Sequence, residues 1–189
     1  MIKEINLRDH PKLAEAHEFV KNRTDAVIAG GVARDILLGR EYNDIDIFVA
    51  DSLIRWGDVD DEIRAMDHCV VHEDTYTNYG SRFIVGNLDI SVLPRDKMAG
   101  IQCLMDQFDM VYSQAWLEPT ADGFTAKSTE LFDDMHERRI IGYYPTRIKG
   151  ESDHVTRIVE LLGNNSLLVM ALAETNEVGI SIEDSVLPF

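Results

Sequence analysis

The stretch from Ala29 to Val49, AGGVARDILLGREYNDIDIFV, holds the residues whose types and spacing could do chemistry. Asp44 and Asp46 stand one residue apart in a β-branched run. Residues i and i+2 of a strand point to the same face, so the two carboxylates should project side by side, about 7 Å apart along the backbone. Two acids aimed at one spot repel each other unless a cation lies between them. A divalent ion with oxygen ligands meets that need, and Mg²⁺ in particular takes one or two carboxylates together with phosphate oxygens. Upstream, the apolar run Ala26-Val27-Ile28 leads into Gly30-Gly31, and a compact helix pattern follows, closed by Gly39. A strand–Gly-Gly–helix turn lets backbone N–H groups face an anion. Metal-binding carboxylates beside a phosphate cradle imply a nucleoside triphosphate.

The pattern Gly30-Gly31-x-x-Arg34-Asp35-x-Leu37-Leu38-Gly39-Arg40-x-x-x-Asp44-x-Asp46 resembles the head domain of the tRNA nucleotidyltransferases and bacterial poly(A) polymerases, within the DNA polymerase β-like nucleotidyltransferase superfamily. Ala33 stands where that family usually has valine. The resemblance implies an α+β fold, a mixed β-sheet flanked by helices. It implies three metal-binding catalytic carboxylates, Asp44, Asp46 and a third on a later strand beside the first. Asp89 fits that place, because Leu88, Ile90 and Val92 share one face of their strand and Asp89 takes the other. Arg95 falls where the family has an arginine after this strand, and Tyr79-Gly80-Ser81 is similar to the family's lead-in. Gly30, Gly31, Arg34, Asp35 and Arg95 are thereby assigned to the nucleotide.

The implied activity is transfer of an NMP from an NTP to a hydroxyl acceptor, with Mg²⁺ or Mn²⁺ as cofactor and pyrophosphate released. The acceptor stays open among an RNA 3′ end, a protein and a small molecule. The rival reading is a catalytically silent or partner-dependent nucleotide-binding module, for example in a toxin–antitoxin or phage–host setting. Bland readings also exist for single residues. Asp35 could merely orient the glycine loop, Arg34 could be a surface residue, and Gly39-Arg40 could be a cap with a favourable cation at a helix C-terminus. Gln107-Phe108-Asp109-Met110 falls where the family has Arg-Asp-Phe-Thr-Ile-Asn-Ala, but the arginine is missing and Phe108 reads as core. Asp153 and Arg157 resemble a base-reading pair at the start of the family's neck, although an i,i+4 Asp–Arg pair is also an ordinary helix ion pair. His68 and His72 would lie some 13 Å apart on a strand and make no metal site.

The elements that must position these residues follow from periodicity. Helices are expected over His10–Arg23, Val32–Leu38, most of Ser52–Met66, Lys97–Met105, Glu130–Arg138, Ser152–Leu162 and Ser166–Glu174. Strands are expected over Ala26–Ala29, Asp44–Ala50, Cys69–His72, Phe108–Tyr112, Gln114–Leu117, Phe124–Ala126 and Arg139–Gly142. Ser81–Leu93 reads as a hairpin turning at Gly86-Asn87 in a tight primed turn. Residues 1–150 should form the head domain and 151–189 a short helical appendage, where the family's neck would begin.

With 189 residues and 45% apolar content the chain can build one real core. No run approaches the roughly 18 apolar residues of a membrane helix. The N-terminus has no apolar signal region, and Cys69 and Cys103 are isolated, so a reducing, cytoplasmic setting is expected. Eighteen Lys and Arg against 34 Asp and Glu give a net charge of −16. A protein that grips a polynucleotide replaces counterions with a basic surface. This balance argues against the chain holding a large RNA by itself.

Overall fold

The computed structural model describes residues 1–51, 58–71, 81–145, 147 and 168–172. Strands are β1 (Ile2–Asn6), β2 (Ala26–Ala29), β3 (Ile45–Ala50), β4 (Cys69–Val71), β5 (Ser81–Val85), β6 (Leu88–Leu93), β7 (Ala115–Pro119), β8 (Gly123–Ser128), β9 (Ile140–Tyr143) and β10 (Leu168–Ala171). Helices are α1 (Ala14–Val20), α2 (Gly31–Leu37), α3 (Asp58–Arg64), α4 (Ile101–Met105) and α5 (Glu130–Glu137). Eight strands form one sheet in the order β1-β8-β7-β2-β3-β6-β5-β4, and β9 pairs with β10 in a second. The sheet is mixed: β3 and β6 run parallel, and its other neighbours are antiparallel. The architecture is therefore α+β, a large mixed sheet flanked by helices. Among the described residues, no helix is long and apolar enough to cross a membrane.

Strand alternation divides the side chains into two layers. Ile45, Ile47 and Val49 of β3 join Leu88, Ile90 and Val92 of β6 and Phe83 and Val85 of β5 in the main core. Helices α1, α2, α3 and α5 contribute Ala16, Ile36, Ile63 and Phe132 to it. The opposite face carries a smaller apolar cluster in which Ala29, Leu93, Leu104 and Met105 pack with Phe48, Phe108 and Trp116. By the same alternation Asp46 and Asp89 project onto this second face.

Local chemistry explains the boundaries near the site. Gly39 ends α2 with φ +67°, a left-handed conformation that favours glycine. The Gly39 N–H donates to the Ile36 carbonyl and the Arg40 N–H to the Asp35 carbonyl, a Schellman closure. Gly86 takes φ +61° between β5 and β6 while Asn87 does not have positive φ, the II′ form of hairpin turn. The Thr129 hydroxyl caps α5 by accepting the Phe132 N–H at 3.2 Å.

Several elements differ from expectation. β3 begins at Ile45, so Asp44 precedes the strand: Ile45 pairs with Leu88 at the end of the ladder. The expected first helix divides into a 3₁₀ turn, Pro11–Leu13, and α1. The helix expected over 97–105 divides at the extended Gly100 into a 3₁₀ turn, Arg95–Met98, and α4. The extended segment expected over Phe108–Tyr112 instead contains a 3₁₀ turn, Val111–Ser113, with only a single bridge from Met110 to Tyr143. Residues 168–171, expected within a helix, form β10, and Val169, Met170 and Leu172 are buried in the main core. A run of four residues is too short for periodicity to separate a strand from a buried helix. β1 was not anticipated, because only its Ile5 is buried and the strand lies at the sheet edge. The helix expected at 152–162, the Asp153–Arg157 pair, His72, Tyr79 and Gly80 lie outside the described residues.

Candidate active site

The parallel pairing of β3 with β6 sets Asp46 directly opposite Asp89. Both side chains occupy the second face of the sheet, so two carboxylates sit side by side on adjacent strands. Asp44, exposed just before β3, adds a third negative charge that acts on Asp46. Burial is the main cause that raises the Asp46 carboxyl, to about 6, and the charges of Asp89 and Asp44 add to it. Arg82 and Arg34 oppose the rise without cancelling it. The carboxyl group is thus short of positive charge in the isolated chain.

Gly30 leads from β2 into α2 with φ +85° and ψ −133°, a region essentially reserved for glycine. A methyl group at Gly30 would stand 3.6 Å from the Phe108 ring and 3.8 Å from Asp46 Oδ2. The glycine turn, the aromatic ring and the carboxylate therefore meet at one place. Phe108 also packs edge-on against Phe48, with ring centroids 5.7 Å apart.

Arg34 and Asp35 form a pair within α2. Arg34 Nε donates to Asp35 Oδ1 at 2.8 Å and Nη2 to Oδ2 at 2.9 Å, with side-chain exposures of 8% and 16%. Arg34 Nη2 also stands 3.6 Å from where a Gly31 side chain would begin. The pair lies beside the glycine turn at the start of α2. Arg34 is buried, against the surface reading of a helix arginine.

Arg82 is the residue that sequence reasoning missed. It lies on β5, whose Ile84 pairs with Asp89, and shares the Asp89 face one diagonal step away. Its Nε donates to Asp89 Oδ1 at 2.8 Å, and its Nη2 donates to Oδ2. The period-two signal was present, since the Gly86-Asn87 turn fixes Val85 opposite Leu88 and hence Arg82 near Asp89.

The structure brings Gly30, Gly31, Arg34, Asp35, Asp44, Asp46 and Asp89 to one end of the sheet, and separates Arg95 from them. Arg95 follows the far end of β6, about 20 Å along the chain path from Asp89 at strand spacing. It borders a cavity of about 870 Å³ with Arg23, Asp25, Ala50, Ile101 and Trp116. That cavity includes none of the three acids and neither glycine of the turn.

Among the described residues, no group of three or more His, Cys, Asp or Glu side chains is arranged to hold a metal ion. The hard oxygen donors at Asp46 and Asp89 nevertheless suit Mg²⁺ or Mn²⁺, which bind through one or two carboxylates when phosphate oxygens complete the shell. The residues fit an ion that arrives with a triphosphate.

Comparison with solved structures finds this fold in the CCA-adding enzymes. The Bacillus stearothermophilus CCA-adding enzyme in complex with CTP matches with a TM-score of 0.58 and 17% identity over 84% of this chain and 41% of that one. A tRNA-processing enzyme in an apo form matches with a TM-score of 0.52 and 20% identity over 76% and 38% of the two chains. The Thermotoga maritima CCA-adding enzyme complexed with tRNA matches with a TM-score of 0.51 and 17% identity over 86% and 40%. This chain has the nucleotidyltransferase fold. It spans about two fifths of the length of these enzymes. No family model matches the chain, and no curated protein matches it by sequence.

Proposed function

We propose that this chain is a metal-dependent nucleotidyltransferase that moves an NMP from an NTP to a hydroxyl acceptor. The observation that carries the reading is the in-register pair Asp46 and Asp89 on one sheet face, with the Gly30 turn 3.8 Å from Asp46. Asp46 and Asp89, with Asp44 beside them, would hold the divalent ions, and the Gly30-Gly31 backbone would face the phosphate chain. When bound, Mg²⁺ or Mn²⁺ offsets the charge that develops on the attacking and leaving oxygens. In the transfer the acceptor oxygen forms a bond to the α-phosphorus, and the bond to the bridging oxygen breaks. Its electron pair leaves with pyrophosphate, and the acceptor proton passes to Asp89. Arg34, locked on Asp35, keeps the glycine turn in place while the phosphates bind.

The second reading is a module that binds NTP without transfer. The ion pair that already occupies Asp89 favours it. One experiment separates the two: the protein is incubated with Mg²⁺ and each α-labelled NTP, with cell RNA and lysate as acceptors and Asp46→Ala in parallel. Label in RNA, protein or a small molecule with the wild type alone supports transfer and names the acceptor class. Metal-dependent NTP binding without label leaves the binding module.

A further inference from the structure

Arg82 is not among the residues assigned to the nucleotide, yet among the described residues it is paired with the third carboxylate. Its planar fork takes both oxygens of Asp89, and its side chain is 43% exposed where that of Asp89 is 17% exposed. A bidentate guanidinium takes one lone pair on each oxygen and so draws on the same donors that a metal would use. Two cations on one carboxylate also repel each other. An ion that enters at Asp89 therefore competes with the fork for its charge and its oxygens. The released guanidinium, already 43% exposed, can then turn to the phosphate chain of a nucleotide, which brings several negative charges. Arginine recognises carboxylate and phosphate with the same bidentate geometry, so the exchange loses little in hydrogen bonding. Arg34 cannot take this part, because it is buried and bound to Asp35.

We propose that Arg82 is a displaceable counter-ion: it holds Asp89 while the site is empty, and passes to the phosphates of the nucleotide when the metal takes Asp89. The inference rests on the nucleotidyltransferase reading of the same site. It makes metal and nucleotide binding cooperative, since the metal alone must expel Arg82 with no new partner for it.

The test compares wild type, Arg82→Gln and Arg82→Lys in two titrations. Mn²⁺ alone is followed by electron paramagnetic resonance, and ATP is titrated at saturating Mn²⁺ by calorimetry. Thermal unfolding establishes that each variant is folded. Arg82→Gln should bind Mn²⁺ alone about tenfold more tightly and ATP about tenfold more weakly, the scale of one charge-assisted contact. Arg82→Lys, which keeps the charge but not the fork, should fall between. A residue that merely props the strand would weaken both. Shifts in the same direction, or no shift in either titration, overturn the proposal. Opposite shifts without any nucleotidyl transfer would sustain Arg82 and remove the enzyme reading. Absence of Mn²⁺ binding in both wild type and Arg82→Gln would remove both.

Discussion

Replacing Asp46 by asparagine should stabilise the metal-free protein at neutral pH while it abolishes the proposed transfer. Burial and the neighbouring Asp89 and Asp44 raise the Asp46 carboxyl from 3.8 to about 6 in the folded state. A rise of that size corresponds to about 3 kcal/mol, and solvent relaxation around this half-buried group reduces the figure to about 1–3 kcal/mol. The sign follows from proton linkage. Between about pH 4 and 6 the folded state holds a proton that the unfolded state has lost, so stability falls as pH rises through this window. The penalty is complete above about pH 6, and asparagine carries none of it. Urea unfolding in EDTA should therefore show wild type and Asp46→Asn close together near pH 4 and the variant ahead by about 1–3 kcal/mol at pH 7.5. In thermal melts this is roughly 3–10 °C for a chain of this size. Mn²⁺ with ATP at a hundredfold excess over Kd should stabilise the wild type alone by about 2.7 kcal/mol and close the gap. A gap that is equal at both pH values, or a wild type that is the more stable at pH 7.5, would refute the electrostatic account of the site.

Three further outcomes follow from local geometry. Gly30→Ala meets only ordinary contacts at 3.6 Å and 3.8 Å, so its effect is backbone strain at φ +85°, about 1–3 kcal/mol by denaturant melts, with NTP binding weakened alongside. Arg34→Ala leaves Asp35 without its fork in a position 16% exposed and should lower stability by about 3–5 kcal/mol, whereas loss of a surface pair would stay below about 1 kcal/mol in the same melts. Gly123→Ala would set a methyl group 2.0 Å from the Ile5 carbonyl oxygen, so β1 must move off β8; stability should fall by about 1–3 kcal/mol or more, and amide exchange in β1 should lose its protection.

The legible parts of the fold were those whose signal is local. β2 coincides with its expected span, the hairpin turns at Gly86-Asn87, and Gly39 closes α2, because a four-residue apolar run, a Gly-Asn pair and a left-handed glycine each act over a few residues. Asp46 and Asp89 were readable as a pair through the order of acids along the chain, and parallel register brings them together. Arg95 lies away from the acids because Asp89 opens β6 and Arg95 follows its close, a separation that strand spacing implies but a motif match does not weigh. Arg82 was hidden for the converse reason, since its contact with Asp89 arises across a turn and from no motif. β10 escaped because its partner, β9, supplies the pairing that its own short run cannot specify.

The charge of the chain bears on what the site can act upon. A net charge of −16 gives no general attraction for a polyanion, since counterion release needs clustered Lys and Arg. Near the acids, the two arginines that act on Asp46 are already engaged, Arg34 with Asp35 and Arg82 with Asp89. An NTP differs from an RNA in this field because it arrives with its own divalent ion, which supplies the positive charge that Asp46 lacks. Under the proposed function, the site is thus better matched to a metal–triphosphate than to a nucleic acid backbone. Recognition of any RNA acceptor would then rest on contacts beyond the general charge of these 189 residues. A small or protein acceptor needs no such supplement, and this asymmetry makes the lysate arm of the labelling experiment as informative as the RNA arm.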